Sequence, residues 1–345
     1  MPTHTTVPPD APEFAAPYIE LPPTADGSIE WLQQRREGLG GSDISTLLEM
    51  QNPDWDDRYT LWLDKTGQIP LDLKPPSEAA FWGHVLEPVV RDRAADLLGQ
   101  AITKPATTLR SVSHPFMQYN ADGFIEDGRL YEGKTANAFK AKEWKGQIPD
   151  HAELQVQEGM FVTGKDQAVV AGLIGGQKLE LFEVDRDDRI ITAILDAAER
   201  FWVDNVLGGV EPAVGSGAAS AEALKQVYGR KGGVRKLPAA KIRDVHDRAL
   251  MHAANEKREK LAKQQAQNEM RRMMAGRDAL VDTDDKVWAA VKNGVFAHAK
   301  FRDKYPDLYR DHLIPAQKLD TVALQAAHPA EYAEFVSTSI DVKKV

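Results

Sequence analysis

The chain of 345 residues contains no cysteine. A disulfide framework and a zinc site built on thiolates are therefore excluded, and a reducing compartment is the expected setting. The sequence also has no uninterrupted apolar run of about 18 residues, which a membrane helix would need. Its first residues, MPTHTTVPPDAPEF, lack the charged and apolar regions of a signal peptide. These absences predict a cytoplasmic protein with no membrane partner.

The negative charge is unevenly distributed. The formal net charge is −9, which by itself would argue against a polyanionic partner. Residues 225–277, however, hold 15 Lys and Arg against 5 Asp and Glu. Because the local sign of charge decides whether a polyanion can bind, this segment could line a nucleic-acid path. The alternative interpretation is a solubilising helix.

The composition predicts four regions. Residues 1–27 are rich in Pro and Thr and are expected to form a flexible arm. Residues 28–210 read as helices, a hairpin, a helix, strands and a helix, which indicates an α/β domain with a mixed sheet. Residues 211–221 have the composition of a linker. Residues 222–345 are expected to be a basic, mainly helical extension with a small β-hairpin that turns at Asn293–Gly294.

The stretch YNADGFIEDGRLYEGKTA (119–136) contains the most informative pattern. Asp122 is followed by Glu132 and Lys134. Two carboxylates can share a hard cation such as Mg²⁺, and an ammonium group beside them can align an activated water. This combination is what the hydrolysis of a phosphodiester needs, although acids and lysines are also common on solvated hairpins.

The register of this hairpin decides whether the pattern can act as a site. A two-residue turn on Asp127–Gly128 would place Asp122 and Glu132 on opposite faces. A three-residue loop (126–128), with Gly128 in the left-handed conformation, would make them cross-strand partners. Lys134 then shares the face of Glu132 because side chains alternate along a strand. The chemistry requires the second register.

Two further positions have both a structural and a functional interpretation. The turn Gly40-Gly41-Ser42, with Ser42 as a helix cap, is either a phosphate site or an ordinary connection between helices. Glu87 lies among apolar residues in a helix over 77–99 that we expect to be interrupted at Pro88. It is either a solvated acid or a ligand that points inward.

Four blocks in order resemble the YqaJ-like viral recombinase family, also known as the lambda exonuclease family. They are WLQQRREGLGGSD (31–43), FWGHVLEPVVRDR (81–93), YNADGFIEDGRLYEGKTA (119–136) and AELQVQEGMFVTG (152–164). The resemblance covers residues 31 to about 205. It implies a PD-(D/E)xK nuclease core, in which helices flank a mixed β-sheet.

The resemblance also implies roles for individual residues. The positions that match the family's catalytic residues are Asp122, Glu132, Lys134 and one of Gln155 and Gln157. Gln155 is favoured, and Gln157 stays open. The implied metal ligands are Glu87, Asp122 and Glu132, with Mg²⁺ as the cofactor and Mn²⁺ as a substitute. The implied contacts to DNA and its 5′-phosphate are Arg35, Ser42 and Asn120, the last standing where relatives often have Ser.

The implied function is a Mg²⁺-dependent 5′→3′ exonuclease. It would degrade linear double-stranded DNA and expose 3′ single strands for phage-type recombination, in the host cytoplasm if a phage encodes it. The implied partners are DNA ends, a single-strand annealing protein and further copies of the chain in a trimeric ring. Two alternatives stay open: a structure-specific DNA endonuclease, and a non-catalytic DNA-binding recombination scaffold.

Overall fold

The computed structural model describes residues 17–71, 77–229, 233–314 and 318–342. The chain divides into two compact units, the first ending at Gly232 and the second beginning at Gly233. None of the described helices is long and apolar enough to cross a membrane.

The first unit combines helices with two sheets. Its described α-helices are α1 (Ile29–Arg36), α2 (Gly41–Leu47), α3 (Arg58–Lys65), α4 (Glu78–Leu98), α5 (Asp150–Thr163), α6 (Asp188–Arg200) and α7 (Ala218–Tyr228). Its described strands are β1 (Tyr18–Glu20), β2 (Ile102–Thr103), β3 (Leu109–Ser111), β4 (Gln118–Tyr119), β5 (Gly123–Ile125), β6 (Leu130–Ala136), β7 (Gln167–Ile174) and β8 (Lys178–Asp185). A 3₁₀ turn at Ala138–Lys140 and a π-helical segment at Phe201–Leu207 complete this unit.

The central sheet is mixed, as predicted. Its strand order is β2-β5-β6-β7-β8, with β6 and β7 parallel and the other neighbours antiparallel. Strand β7 is almost continuously apolar because both of its faces are covered. Val169 and Ala171 pack with Val90 of α4, whereas Val170 belongs to the core cluster that contains Val156 of α5. Helices therefore flank both faces of the sheet, the architecture that the resemblance implies.

Helix α4 runs without interruption from Glu78 to Leu98, so the break expected at Pro88 is wrong. Proline removes the hydrogen bond that its own N–H would give to the carbonyl four residues earlier. That residue is His84, and both Pro88 and His84 lie on the exposed side of the helix. The freed carbonyl therefore stays accessible to water, and the helix continues to Gly99, whose φ of 66° provides the C-cap.

The N-terminal arm is ordered over part of its expected length. Tyr18–Glu20 forms β1 and pairs antiparallel with β3, with Tyr18 opposite Ser111. The prediction of a flexible arm through residue 27 is therefore wrong for this strand. The part of that prediction that covers residues 1–16 lies outside the described residues.

The segment 211–221, expected to be a linker, packs against the first unit instead. Ser220 is buried, and its hydroxyl donates to Asp57 Oδ2 at 2.6 Å. A Cβ at Gly215 would lie 1.9 Å from the same carboxylate, and one at Gly217 would lie 2.0 Å from the Pro53 carbonyl oxygen. The small residues there permit close approach of the backbone. The unit boundary follows α7 at Gly232.

The second unit begins with a long exposed helix. Its described elements are α8 (Ala239–Met274), β9 (Ala279–Val281), β10 (Val287–Phe296), α9 (His298–Lys304), α10 (Pro306–Asp311), β11 (Leu313–Ile314), β12 (Lys318–Leu319), α11 (Thr321–Ala327), α12 (Pro329–Ala333) and β13 (Val336–Val342). A small aromatic core contains Phe296, Phe301 and Phe335. The expected helical character of this region is confirmed.

The hairpin turn predicted at Asn293–Gly294 is wrong. Both residues lie inside β10, which pairs with β13 on one side and β9 on the other. The chain turns earlier, between β9 and β10. There Asp282 Oδ1 accepts the backbone N–H groups of Asp284 and Lys286, each at 3.0 Å, and Asp285 has a φ of 59°. An aspartate whose side chain accepts from the backbone just after it forms turns as readily as Asn-Gly does. The turn therefore forms at Asp282 and not at Asn293–Gly294.

Candidate active site

The hairpin of β5 and β6 adopts the register that the chemistry requires. Gly123 pairs with Tyr131 and Phe124 with Leu130, and Gly128 has a φ of 95° in the connecting loop. The predicted three-residue loop is thereby confirmed. Asp122, one residue before β5, comes next in this register opposite Glu132. Its Oδ2 accepts the N–H of Gly133 at 2.9 Å, which holds the carboxylate beside the strand.

Glu132 is the centre of a buried hydrogen-bond network. Its side chain is fully buried, and Oε1 accepts from Lys134 Nζ at 2.7 Å and from Gln155 Nε2 at 2.6 Å. Lys134 Nζ also donates to Gln155 Oε1 at 2.7 Å, so the three side chains form a closed triangle. The other carboxylate oxygen, Oε2, accepts from the Tyr119 hydroxyl at 2.5 Å. Strand β6 and helix α5 therefore bring the acid, the ammonium and the amide together.

The pKa values of Asp122 and Lys134 are both raised in this network. Burial, together with the neighbouring carboxylate of Glu132, raises the pKa of Asp122 to about 7. Although burial opposes its charge, attraction to Glu132 and Asp122 raises the pKa of Lys134. The lysine therefore stays cationic, while Asp122 holds a proton near neutral pH. An acid that negative neighbours keep partly protonated is a group that a bound cation would ionise.

We expect Asp122→Asn to stabilise the protein in EDTA at pH 8. Because the folded-state pKa of about 7 exceeds the ordinary 3.8, the folded state retains a proton that the unfolded state has lost. The contribution of this carboxyl to stability therefore falls by about 1.4 kcal/mol per pH unit between those values. Denaturant unfolding should show an advantage of the variant that grows by about 2 kcal/mol from pH 5.5 to pH 7. If the stability difference between Asp122→Asn and the wild type does not depend on pH, the pKa of Asp122 is not raised in the folded protein.

Glu87 reaches the site from α4. Its Oε1 accepts from Lys104 Nζ at 2.5 Å and from Arg91 Nη1 at 3.1 Å. Glu87, Asp122 and Lys134 line the same cleft of about 1080 Å³. Within the described residues, no three His, Asp or Glu side chains are gathered closely enough to form a metal centre. Glu87 is instead paired with basic side chains, and each of the three predicted carboxylate ligands is engaged by its own donors.

The two glutamines of α5 have different surroundings. Gln155 belongs to the network at Glu132, as described above. Gln157 is fully buried and donates to Glu153 Oε1 at 2.8 Å and to the Asp185 carbonyl at 2.9 Å. Its own Oε1 accepts the N–H of Asp187 at 2.9 Å. The structure therefore brings Gln155 into the site, whereas Gln157 ties α5 to the connection that leads into α6.

Arg35 and Ser42 are in direct contact. Arg35 Nη2 donates to Ser42 Oγ at 2.9 Å, and its guanidinium lies 4.7 Å from the centre of the Trp31 ring. Ser42 is not the helix cap that the sequence predicts. Gly40 occupies that position, and its N–H donates to Asp43 Oδ2 at 3.0 Å. An aspartate that bonds back to the cap residue fixes the start of α2, so Ser42 lies within its first turn.

Asn120 is exposed at the wall of the cleft. Its Oδ1 accepts from the Thr108 hydroxyl at 2.6 Å, and both residues line the cleft with Arg35 and Ser42. All three residues assigned to DNA binding thus face one space together with Asp122 and Lys134.

Glu158 was not singled out from the sequence. It is fully buried, and neither of its carboxylate oxygens has a hydrogen-bond partner in the described part of the chain. Burial raises its pKa well above the ordinary value, with Asp43 and Glu132 adding repulsion. It follows Gln155 by three residues on α5, which places both side chains on the same side of the helix. This three-residue spacing from Gln155 is the sequence feature that could have pointed to Glu158.

Tyr119, also not predicted from the sequence, packs directly on α5. A Cβ at Gly159 would lie 2.5 Å from Tyr119 Cζ, so the aromatic ring lies against the helix backbone. The same crowding occurs at Gly41, where a Cβ would lie 2.5 Å from Gln155 Cγ. Both glycines permit the close packing that holds the network around Glu132.

Residues 128–135, GRLYEGKT, also fit the pattern G-x-x-x-x-G-K-T of a nucleotide-binding phosphate loop. Such a loop joins the end of a strand to the start of a helix. Here Gly133 and Lys134 lie inside β6, and the Gly133 N–H already donates to Asp122. The match is therefore coincidental.

Comparisons of the sequence with known proteins identify its family. A family model described as the YqaJ-like viral recombinase domain matches residues 30–166. The curated protein YqaJ of Bacillus subtilis (strain 168) is 32% identical over 286 residues, which cover 81% of this chain and 89% of that protein. The similarity to this Bacillus protein therefore extends well beyond residues 30–166, which the family model matches.

Two solved structures are also similar. An alkaline exonuclease (LHK-Exo) from Laribacter hongkongensis has a TM-score of 0.45 and 18% identity over 51% of this chain and 92% of its own. A phage-related exonuclease from Haemophilus somnus 129PT has a TM-score of 0.37 and 13% identity over 52% of this chain and 100% of its own. From the family model and the Bacillus relative, we conclude that the chain belongs to the YqaJ-like viral recombinase family.

Proposed function

We propose that this protein is a metal-dependent deoxyribonuclease that degrades linear double-stranded DNA from its 5′ ends. The observation that carries the proposal is the Glu132–Lys134–Gln155 network opposite Asp122, with Lys134, Gln155 and Asp122 lining one cleft. The product would be a 3′ single strand, the substrate that a single-strand annealing protein needs for recombination.

The donor set suits a hard divalent cation. Carboxylate oxygens are the protein ligands that Mg²⁺ prefers, and a cation beside Asp122 would release the proton that burial and Glu132 hold on it. Asp122, Glu132 and Glu87 do not surround one point in this structure. They are the carboxylates that would hold Mg²⁺, or Mn²⁺ in its place, once Glu87 leaves its basic partners. The ion would supply an activated water and stabilise charge at the reacting phosphate. Lys104 and Arg91, which now neutralise Glu87, would then become available to phosphates.

The protein's own groups orient and bind the substrate. Lys134, held cationic between Glu132 and Gln155, would align the attacking water beside the scissile phosphate. Arg35 and Ser42 would bind the terminal 5′-phosphate, and Asn120 the adjacent backbone. A charge-assisted contact of this type fixes the distance between the DNA end and the cleaved bond. That distance would make the enzyme an exonuclease.

Digestion of end-labelled linear duplex, with and without a 5′-phosphate, tests the proposal. We expect Mg²⁺-dependent release of 5′-terminal nucleotides, faster from phosphorylated ends, and no cleavage of closed circular DNA. Cleavage of the circle would instead favour a structure-specific endonuclease. Binding of duplex ends without any cleavage would favour a recombination scaffold.

Gln155→Ala and Gln157→Ala should have opposite phenotypes. Loss of Gln155 removes a donor to Glu132 and an acceptor from Lys134, so cleavage should fall about 10- to 100-fold with little change in stability. Loss of Gln157 leaves the Asp187 N–H and the Asp185 carbonyl unpartnered, which should lower the free energy of unfolding by about 1–3 kcal/mol. Cleavage rates and denaturant unfolding, measured on both variants, separate the two roles. A loss of cleavage that is confined to the Gln157 variant would reverse the assignment.

A further inference from the structure

The hydroxyl of Tyr119 has a specific partner at the centre of the site. Among the hydrogen bonds of the described residues, Oε2 of Glu132 accepts only the one from Tyr119, at 2.5 Å. The opposite oxygen, Oε1, accepts two, from Lys134 and Gln155. Without the phenol, one oxygen of a fully buried carboxylate would have no donor, which is costly in a low-dielectric interior.

The backbone and the ring of Tyr119 are both fixed. The residue lies in β4, where it pairs with Leu109 of β3, and it is 1% exposed. Its ring packs on the backbone of α5 at Gly159, with no room for even a methyl group between them. Since the ring cannot shift toward α5, packing sets the position of its hydroxyl oxygen before any ligand binds.

We propose that Tyr119 is a positioning residue for Glu132, an inference that rests on the proposed function. Its phenol holds Oε2 so that the carboxylate keeps one orientation beside Asp122 when a divalent cation binds. Outer-shell partners of metal ligands typically contribute about 10- to 100-fold to metal affinity or activity. Tyr119 would act on the cation through its hydrogen bond to Glu132.

A second buried tyrosine provides a matched control. Tyr131 is also fully buried, and its hydroxyl has no hydrogen-bond partner in the described part of the chain. Tyr119→Phe and Tyr131→Phe each remove one buried phenolic oxygen and leave the ring in place. Only the first removes a bond to Glu132.

The test measures Mn²⁺ binding to the DNA-free full-length protein by calorimetry, together with cleavage of linear duplex and the unfolding temperature. We expect Tyr119→Phe to weaken Mn²⁺ binding about 10- to 100-fold and to slow cleavage in the same range. Part of the lost rate should return at high Mn²⁺ concentration. Tyr131→Phe, which keeps the bond to Glu132, should lose far less Mn²⁺ affinity and cleavage than Tyr119→Phe, and duplex binding in EDTA should be unchanged in both variants.

Three results would overturn the inference. Wild-type Mn²⁺ affinity in Tyr119→Phe would show that the phenol does not position Glu132. Equal losses of affinity in both variants would assign the effect to packing. A wild-type protein that neither binds Mn²⁺ nor cleaves DNA would overturn the proposed function itself, a result distinct from the other two.

Discussion

Glu132→Gln should abolish DNA cleavage while the protein stays folded and still binds duplex. The substitution keeps the volume of the side chain and can still accept from Lys134 and Gln155, but it removes the negative charge at the centre of the network. A change to an outer-shell partner costs about 10- to 100-fold, so loss of a charged ligand should cost about a thousandfold or more. The rate of nucleotide release from linear duplex at saturating Mg²⁺ measures the effect.

Glu183→Gln is the matched control for this variant. Glu183 lies on β8 of the same sheet, but its side chain is 83% exposed and pairs with Arg129 at the surface. Removing its charge should leave cleavage unchanged. If Glu132→Gln cleaves within about tenfold of the wild-type rate, the assignment of Glu132 to the metal site is wrong.

Arg35→Ala should selectively reduce activity on 5′-phosphorylated ends. The guanidinium is oriented by Trp31 and by its hydrogen bond to Ser42, and it faces the cleft. A charge-assisted hydrogen bond to a phosphate contributes about 1.5–3 kcal/mol, so activity on phosphorylated ends should fall about tenfold to a hundredfold. Hydroxyl ends, which make no such contact, should be cleaved almost as before. The ratio of the two rates is the quantity to measure, because it cancels any general loss of stability.

Two further variants sharpen the interpretation of Arg35. Arg93→Ala removes a guanidinium that is 59% exposed and pairs only loosely with Asp96, so the ratio of rates should not change. Arg35→Lys keeps the charge but loses the planar guanidinium that can donate two parallel hydrogen bonds. Its ratio of rates should lie between those of Arg35→Ala and the wild type. If both kinds of end slow equally in Arg35→Ala, the residue supports the fold at α2 and does not select the end.

The central hairpin was predictable because a local rule and a chemical requirement agree there. Asp127–Gly128 marks a turn, and only the three-residue loop makes Asp122 and Glu132 partners across the strands; the structure has that loop. The mixed sheet followed equally from alternating helical and strand patterns. Asp282 and Gly294 are both residues that favour turns, and local composition does not show at which of them the hairpin turns.

The rest of the site depends on tertiary packing that no local pattern encodes. Gln155 and Gln157 are two residues apart on one helix, and only the neighbouring strands decide which of them reaches Glu132. Tyr119 precedes Asp122 by three residues and reads as an ordinary strand aromatic. Its role depends on Gly159, which is distant in sequence. The glycines near 215 give residues 211–221 the composition of a linker, and composition does not distinguish a free segment from one that packs closely.

The contact between Tyr119 and Gly159 has a consequence for sequence variation. The absence of space for a Cβ at position 159 ties the two positions together, so they should change as a pair. A relative with Ala or a larger residue at the position of Gly159 should not carry an aromatic residue at the position of Tyr119. Such a relative would need another donor for the glutamate of its E-x-K strand. An alignment of relatives would therefore show covariation between these two columns, and chains that break the pairing would identify proteins that hold this glutamate in a different way.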